Sequence, residues 1–510
     1  MLLRPFQNTP FVDDWVYGWS VEHLLLTGEL RILDNASSVN PVQVLWGALF
    51  CLPTGFSFTM LRVSTWVLSA ACLCGLRLLM SEIGVGRAQA LLATATLALY
   101  PVYFVLSHTF MTDVPFLCAL VWFSYAAARA LRTERLGWLA VAVLFAALAI
   151  GIRPAGIVAA LALPLTIVPL NRWRRWSALV LMLLPFVAAG LVFWWYSSHI
   201  ERRADLTWID GSPAWRRWQF RYGLASIHVS AVNMWWFCTA ALGLAVAPLA
   251  IARFSRTHVR GAVVVSMIGA GAFALGPLIG AHVYVPLHNT ETWALVELGG
   301  VESGVWGHRA PALPRWYAPT AVAAGVALFS MGAAAAISVR RLSAAQMLLL
   351  WLLAMQYLLM SVLWLYDDNR YILPLVPPAL ALIASSGPLV RQKPAIAMLA
   401  ALAVICSVGL RDHLQYNRAL WAAVDYLRAG GTPPGDIDGG WAVNGWLQYA
   451  HPEHAKRAPG GDVLVNWVNA NDVESQARIS NGPSPGWMVD KVFPYTRWAS
   501  RSGAIYVLKR

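Results

Sequence analysis

Residues 113–131 have the sequence DVPFLCALVWFSYAAARAL, in which the acid at the start is followed by no charged residue until Arg129. A helix needs about 20 apolar residues to cross the hydrocarbon core of a membrane, and fewer where it breaks or tilts. Apolar runs of this kind recur along the chain, at 58–80, 88–106, 113–131, 136–150, 154–170, 176–197, 231–252, 261–281, 318–339, 345–366, 371–389 and 394–410. The sequence therefore predicts an all-α polytopic membrane protein with about twelve transmembrane helices.

The composition supports this fold class and argues against a nucleic-acid-binding protein. The chain is 58% hydrophobic and only 12% charged, whereas a soluble chain carries about 25% charged residues. The net charge of +13 comes mostly from arginines, which lie in short clusters between apolar runs and form no continuous stripe. Such clusters are typical of topology signals in membrane proteins.

The arginine clusters also predict the orientation of the chain. They fall in alternate short connections, which the positive-inside rule places in the cytoplasm. These residues are Arg87; Arg129, Arg132 and Arg135; Arg172, Arg174 and Arg175; Arg253, Arg256 and Arg260; Arg340 and Arg341; and Arg391 with Lys393. The connections 198–230, 282–317 and 367–370, together with both termini, should then face the opposite, extracytoplasmic side.

Three regions follow from this pattern. Residues 1–57 are expected to form an outer first loop with an acidic motif, and residues 58–410 the transmembrane helical domain. After residue 410 the chain becomes richer in turn residues and alternating runs, so 411–510 is expected to be a small extracytoplasmic α/β domain closed by a strand at Ile505–Leu508. No long apolar run precedes residue 58, so either a first helix is missing from this form of the chain, which we expect, or the N-terminus crosses the membrane unaided.

The adjacent acids Asp13 and Asp14 are the first candidates for chemistry. Acids are favoured at helix N-termini, and a helix start alone could explain the pair. Two neighbouring carboxylates can also supply a general base and a partner that orients it or holds a cation. The sequence leaves both explanations open.

Asp113 is the next candidate, because it opens the apolar run quoted above. It belongs to the segment His108-Thr109-Phe110-Met111-Thr112-Asp113-Val114-Pro115-Phe116. The acid could simply begin the helix, with Pro115 in its first turn. An ionisable group at a membrane boundary is also a candidate functional residue.

Two arginines lie where an anion could bind. Arg153 separates the runs 136–150 and 154–170, which form either two crossings or one broken unit, and an arginine there needs an anion or a cage of carbonyl groups. Arg370 lies in Tyr366-Asp367-Asp368-Asn369-Arg370-Tyr371-Ile372-Leu373-Pro374. Its side chain could extend to lipid headgroups or bind phosphate in two-point contact. The spacing of His282, His288 and His308 matches no metal motif.

Taken together and in this order, these motifs resemble a known family. An outer acidic pair, a Met-Thr-Asp-Val-Pro-Phe run, an Arg-Pro break and an Arg-Tyr-Ile-Leu-Pro-Leu run are similar to those of the polytopic glycosyltransferases of the GT-C fold. The nearest resemblance is to the bacterial relatives of protein O-mannosyltransferases and the lipid A aminoarabinose transferase, in glycosyltransferase family 39. It covers about residues 11–390.

The resemblance implies an inverting hexosyltransferase of the bacterial inner membrane. Such an enzyme moves a sugar from a polyprenyl-phosphate donor to a hydroxyl of a lipid, glycan or protein acceptor on the extracytoplasmic face. It implies that Asp13 is the catalytic base with Asp14 as its neighbour, and that Asp113 orients the acceptor or helps to hold a divalent cation, Mg²⁺ or Mn²⁺. The substrate-binding residues would be Arg153, Arg370, Tyr371 and His108.

Two other classes of function are compatible with a polytopic chain. A transporter or lipid flippase would carry polar residues near the membrane centre on paired broken helices, usually within an internal repeat. A polysaccharide polymerase or ligase would also act at the outer face, but with different motifs. The acids of this chain lie at the predicted outer boundary and no repeat is visible.

Overall fold

The computed structural model describes residues 6–11, 13–34, 36, 39–170, 176–201, 221, 224–275, 305–306, 317–337, 341–363, 369–457, 461, 463–466, 473–498 and 502–510. Of the residues singled out in the sequence, Arg172, Arg174, Arg175, His282, His288, His308, Arg340, Tyr366, Asp367 and Asp368 lie outside these ranges.

Most of the described chain is helical, as the apolar runs predict. The helices are α1 (Asp14–Thr27), α2 (Pro41–Cys51), α3 (Phe58–Glu82), α4 (Arg87–Ala98), α5 (Pro101–Leu106), α6 (Asp113–Thr133), α7 (Leu136–Ile152), α8 (Ile157–Leu170), α9 (Trp176–His199), α10 (Ile227–Ala245), α11 (Ala247–Arg253), α12 (Val259–Leu275), α13 (Tyr317–Ile337), α14 (Ala344–Leu363), α15 (Val376–Ser385), α16 (Gln392–Ala429) and α17 (Trp441–Asn444). Short 3₁₀ segments at Pro154–Gly156 and Asn369–Leu375 precede α8 and α15.

Seven of the described helices are long and apolar enough to cross a membrane by length and composition: α3, α6, α9, α10, α13, α14 and α16. Shorter apolar helices occupy several of the other predicted runs, including 136–150 and 154–170. The chain is thus a polytopic helical membrane protein. The predicted fold class is confirmed, although some of the twelve runs form broken helices.

Prolines account for two of these breaks. The run 88–106 divides into α4 and α5 at Tyr100, and the runs 136–150 and 154–170 are separated at Arg153. Both residues precede a proline, and both have extended backbone angles, with ψ of 121° and 135°. A proline ring clashes with a preceding residue in helical conformation, so the helix ends there. At Gly156 the chain turns so tightly that a Cβ would lie 2.4 Å from the backbone nitrogen of Ile150.

One end of the helical domain gathers the segments predicted to be extracytoplasmic. The two-residue strand β1 (Ile32–Leu33) pairs in parallel with β2 (Ile200–Glu201), which joins the first loop to the 198–230 connection. Trp306, from the 282–317 connection, accepts a backbone hydrogen bond of 2.8 Å from Asn481 of the C-terminal region. Segments predicted to share a side therefore contact one another.

Segments predicted to be cytoplasmic meet in the same way. Glu82, at the end of α3, pairs with Arg129 and Arg132 near the C-terminal end of α6, at 3.3 and 2.5 Å. Arg253 donates a 2.7 Å hydrogen bond to Ser386, and the nearby backbone N–H of Val390 donates to the carbonyl oxygen of Ala252 at 2.7 Å. This grouping agrees with the predicted alternation of the loops.

The C-terminal region is a small mixed α/β unit, as predicted. Its main sheet has the strand order β3 (Ile437–Asp438), β6 (Ala477–Ser480), β8 (Gly503–Lys509) and β7 (Met488–Tyr495), and β4 (Lys456–Arg457) pairs with β5 (Val463–Leu464). The predicted strand at Ile505–Leu508 lies within β8, an inner strand that pairs antiparallel with both β6 and β7. The helix α16 continues through the expected boundary at residue 410 and packs on this sheet.

Candidate active site

Asp13 immediately precedes α1, yet its side chain makes no capping hydrogen bond to that helix. One carboxylate oxygen, Oδ1, accepts a 2.7 Å hydrogen bond from the indole Nε1 of Trp441. The other oxygen, Oδ2, lies 3.5 Å from Nη1 of Arg370. The side chain keeps 23% of its surface accessible. Helix capping therefore does not explain this residue, because both oxygens bind partners from distant parts of the chain.

Asp14 has a different environment, although it is the next residue. Its side chain is fully buried; Oδ2 pairs with Nη2 of Arg62 at 3.1 Å, and Oδ1 accepts a 2.7 Å hydrogen bond from the backbone N–H of Phe110. Burial raises the pKa of this carboxyl to about 6, and the positive charge of Arg62 opposes the shift. Asp14 thus joins the start of α1 to α3 and to the turn before α6.

Asp113 and Arg153 form a second buried pair. Nη2 of Arg153 lies 2.8 Å from Oδ2 of Asp113, and Nε of Arg153 donates a 2.6 Å hydrogen bond to Oγ1 of Thr112. Asp113 occupies the first turn of α6, with Pro115 two residues further on, so the helix N-terminus also favours its negative charge. The pair fixes the break between α7 and α8 against the start of α6.

Tyr371 lies between the two arginines that the sequence singled out. The guanidinium carbon of Arg370 is 5.4 Å from the centre of its ring, and that of Arg153 is 6.0 Å away. Cations at this distance from an aromatic ring are attracted by its electron-rich face. Tyr371 thus brings both guanidinium groups to one region of the site.

His108 occupies a separate environment among aromatic side chains. Its Nδ1 lies 2.8 Å from the carbonyl oxygen of Phe104, and its ring packs edge-on against Trp66 at 5.8 Å between centroids. Burial lowers the pKa of this imidazole. None of these contacts connects His108 with Asp13 or Arg370, so its predicted role in substrate binding stays a prediction.

Five of the other predicted site residues, all except Asp14, lie in one connected series of contacts. It runs from Trp441 through Asp13, Arg370, Tyr371 and Arg153 to Asp113. Two carboxylates thus face two guanidinium groups, and the Arg370–Asp13 contact is longer than the Arg153–Asp113 contact by 0.7 Å, the difference between 3.5 and 2.8 Å.

The site also contains two residues that the sequence analysis missed. Arg62 is hidden within the apolar run 58–80, and an arginine inside such a run is itself a signal of a buried partner. Its guanidinium binds Asp14 and the carbonyl oxygens of Gln7 and Thr9, at 2.6 and 2.5 Å. Trp441 follows Gly439 and Gly440, which in the sequence indicate only a turn. No local sequence pattern connects Trp441 with Asp13.

The divalent cation predicted at Asp113 stays a prediction. Within the described ranges, no group of three or more His, Cys, Asp or Glu side chains is arranged to hold a metal ion. Asp113 itself is paired with Arg153. A cation there would have to share the carboxylate with a guanidinium group, which repels it.

Comparison with solved structures gives similarities of low identity. ArnT from Cupriavidus metallidurans is 12% identical in its apo state with a TM-score of 0.41, and 13% identical with a TM-score of 0.40 when bound to undecaprenyl phosphate; each alignment covers 99% of this chain and 95% of that one. The archaeal oligosaccharyltransferase AglB from Archaeoglobus fulgidus, in complex with an inhibitory peptide and a dolichol-phosphate, is 13% identical with a TM-score of 0.39, covering 83% of this chain and 55% of that one. No residue role is carried over from these structures.

Comparison at the level of sequence gives a family match. A search of curated proteins finds no significant match. Residues 40–197 match the family described as dolichyl-phosphate-mannose-protein mannosyltransferase. This segment contains Asp113, Arg153 and Arg62, each of which contributes to a buried ion pair of the site. Residues 40–197 are therefore similar to the dolichyl-phosphate-mannose-protein mannosyltransferases, the family that the motifs of the chain resemble.

Proposed function

We propose that this protein is a glycosyltransferase that moves a sugar from a polyprenyl-phosphate donor to an acceptor hydroxyl at the extracytoplasmic face of the membrane. The observation that carries the proposal is the contact between Asp13 and Arg370. A partly accessible carboxylate lies beside a guanidinium group, so a group that can accept a proton is next to one that can bind phosphate. These are the two functions that such a transfer requires.

In the proposed reaction Asp13 takes the proton of the acceptor hydroxyl. The acceptor oxygen then forms a bond to the anomeric carbon, while the bond from that carbon to the phosphate oxygen breaks. The electron pair leaves with the polyprenyl phosphate, whose growing negative charge Arg370 stabilises. Direct displacement of this kind inverts the configuration of the sugar.

The accessibility of the three acids favours Asp13 as the base. Its side chain is 23% accessible, whereas the side chains of Asp14 and Asp113 are 0% and 1% accessible. A base must reach the proton that it removes, within about 3 Å or through one water. We infer that Asp14 and Asp113 act by fixing the backbone around the site.

Arg153 and Tyr371 complete the proposed donor site. Arg153 is held by Asp113 and Thr112, so it provides a fixed positive charge, and Arg370, beside Asp13, is proposed to contact a phosphate oxygen. The ring of Tyr371 lies between the guanidinium groups of Arg153 and Arg370. We assign no step to a divalent cation, and addition of EDTA to the reaction tests that choice.

The extracytoplasmic location follows from the predicted topology. The site lies at the end of the helical domain that gathers the first loop and the C-terminal region, opposite the end where arginine-rich loops meet. A lipid-linked donor is presented at that membrane surface.

The test is incubation of the purified protein in lipid nanodiscs with undecaprenyl phosphate carrying a radiolabelled sugar, across a panel of hexoses and pentoses. Release of undecaprenyl phosphate, with label in an acceptor or in water, is expected for the wild type and not for Asp13→Asn. Consumption only of diphosphate-linked glycans would indicate a polymerase or ligase. Movement of intact labelled lipid across vesicles, without cleavage, would indicate a flippase.

A further inference from the structure

The side chain that contacts the proposed base from outside the helical domain is Trp441, the first residue of α17. It belongs to the C-terminal region, yet its Nε1 lies 2.7 Å from Oδ1 of Asp13. The preceding residue, Gly440, has φ of 84°, a backbone conformation that other residues adopt at a cost. This turn places the tryptophan at the start of the helix. Trp441 retains 38% of its surface exposed, so it lines the accessible part of the site.

The segment that follows Trp441 is fitted closely to α1. A Cβ added to Gly445 would lie 2.3 Å from the ring of Trp15, so only glycine allows this approach. The buried ring of Trp15 packs edge-on against both Trp441 and Tyr449, at 5.7 and 5.6 Å between centroids. The Tyr449 hydroxyl also donates a hydrogen bond to Asp34 in the first loop. The position of Trp441 is thus fixed from several sides.

We propose that the C-terminal domain completes the active site through Trp441, a positioning residue whose indole N–H holds the Asp13 carboxylate in its reactive orientation. The inference rests on the proposed function, because it assigns Trp441 a role in the reaction that Asp13 performs. An indole N–H can donate but cannot accept, so it occupies Oδ1 without competing for the acceptor's proton. Oδ2, beside Arg370, stays the oxygen that receives that proton.

The hydrogen bond has a second consequence for the reaction. A donor on a carboxylate oxygen favours the ionised form, which is the form that acts as a base. Hydrogen bonds to charged groups are also stronger than those between neutral groups. Loss of the indole N–H should therefore lower turnover and narrow the pH range of activity from its acid side, while donor binding, which depends on the arginines, changes little.

The first test compares Trp441→Phe with Trp446→Phe in the full-length protein. Trp446 lies in the same segment and packs on Phe56 and Phe58, so its replacement controls for disturbed docking. Trp441→Phe is expected to lower kcat by about 10–100-fold, with the donor KM within about twofold of wild type, and to move the acid limb of the pH–rate profile to higher pH. Trp446→Phe should retain kcat and the pH profile. A Trp441→Phe kcat within about twofold of wild type would overturn the inference.

A double variant separates this inference from the proposed function. If Trp441 acts through Asp13, adding Trp441→Phe to Asp13→Asn should lower the residual rate by less than about twofold. A further loss equal to that of Trp441→Phe alone would show that Trp441 acts independently. If Asp13→Asn itself has normal turnover, the proposed base is wrong, whatever Trp441 does.

A shape-preserving replacement guards against misfolding of Trp441→Phe. Benzothienylalanine, placed at position 441 alone, keeps the two fused rings and replaces the N–H by sulfur. The packing against Trp15 is then unchanged, and only the hydrogen bond is lost. The same fall in kcat and the same shift of the acid limb are expected, and wild-type behaviour of this protein would refute the positioning role.

Discussion

Asp113 and Arg153 lie 2.8 Å apart in the interior of the helical domain, although 40 positions separate them in the sequence. One residue opens α6, and the other stands at the break between α7 and α8. Each was singled out for its own reasons, the acid at a membrane boundary and the arginine before a proline. Their contact shows that the two features are halves of one buried ion pair.

Replacing Arg153 by Gln should strongly destabilise the fold. Removal of one member leaves the buried Asp113 charge without its partner, which typically costs about 3–5 kcal/mol. Adding Asp113→Asn should recover part of the loss, because the uncompensated charge is then absent. Thermal unfolding in detergent measures both, and equal stability of the single and double variants would contradict the pairing.

Asp13→Asn should abolish most of the turnover without a comparable loss of donor binding. The amide keeps the size of the side chain but cannot accept the acceptor's proton, and loss of a general base costs about 10²–10⁴-fold in rate. Asp14→Asn should lower turnover less. Turnover and equilibrium binding of the labelled donor, measured after confirming membrane insertion, give the two quantities. Near-normal turnover of Asp13→Asn would reduce the acid to a structural residue.

Arg370→Ala should have the opposite effect, with weaker donor binding as its main result. The guanidinium is proposed to contact the phosphate, and removal of a charge-assisted contact costs about 1.5–3 kcal/mol, or about 10–100-fold in Kd. Arg370→Lys keeps the charge but loses the two-point geometry, so its Kd should lie between those of the wild type and Arg370→Ala. If both variants bind the donor as the wild type does, the phosphate is held elsewhere.

The buried carboxyl of Asp14 should make stability depend on pH. Its pKa of about 6 in the folded protein exceeds its ordinary value of 3.8, so the folded state binds the proton more tightly than the unfolded state. The Asp14 contribution to the free energy of unfolding is therefore greatest below about pH 4 and is lost as the pH rises through about 6.

The measurement is the difference in Tm between wild type and Asp14→Asn from pH 4 to 7.5. Asn cannot titrate, so the variant should lack this component. The wild type should lose stability relative to the variant as the pH rises. A difference that is constant over the range, or that grows in the other direction, would show that Asp14 does not titrate there.

Topology can be tested with alkaline phosphatase fusions, since the enzyme is active only outside the cytoplasm. A fusion after Arg510 should be active, and one after Arg135, in an arginine-rich loop, should be inactive. The expression level of both fusions serves as the control. The reverse pattern would place the whole site on the cytoplasmic side.

The helical fold was predictable because a membrane leaves the chain few alternatives. Backbone groups in lipid must be satisfied internally, so long apolar runs become helices, and prolines reveal where they break. Tyr100 and Arg153 mark two such breaks, both visible as residues before proline. Which shorter helices cross fully is set by packing against neighbours, and hydropathy does not encode it.

The site was predictable in its residue types but not in its partners. Asp13 and Asp14 are adjacent in sequence, and successive residues at a helix start point about 100° apart, so one can be buried while the other is accessible. Which one is buried depends on Arg62 and on Trp441, which is 428 positions away from Asp13. Contacts over such separations arise from tertiary packing, which no local pattern records.

The helix α16 sets the distance of the C-terminal domain from the membrane and its rotation about the helix axis. Its 38 residues extend about 57 Å at 1.5 Å per residue, nearly twice the hydrocarbon thickness of about 30 Å. The domain is thus connected to the membrane-spanning region by a continuous helix and not by a flexible linker. Insertion of one residue into α16 would rotate the domain by about 100° and move Trp441 away from Asp13. Insertion of seven residues would restore the rotation but move the domain by about 10 Å along the helix axis. The number of residues in α16 therefore sets where Trp441 lies relative to Asp13.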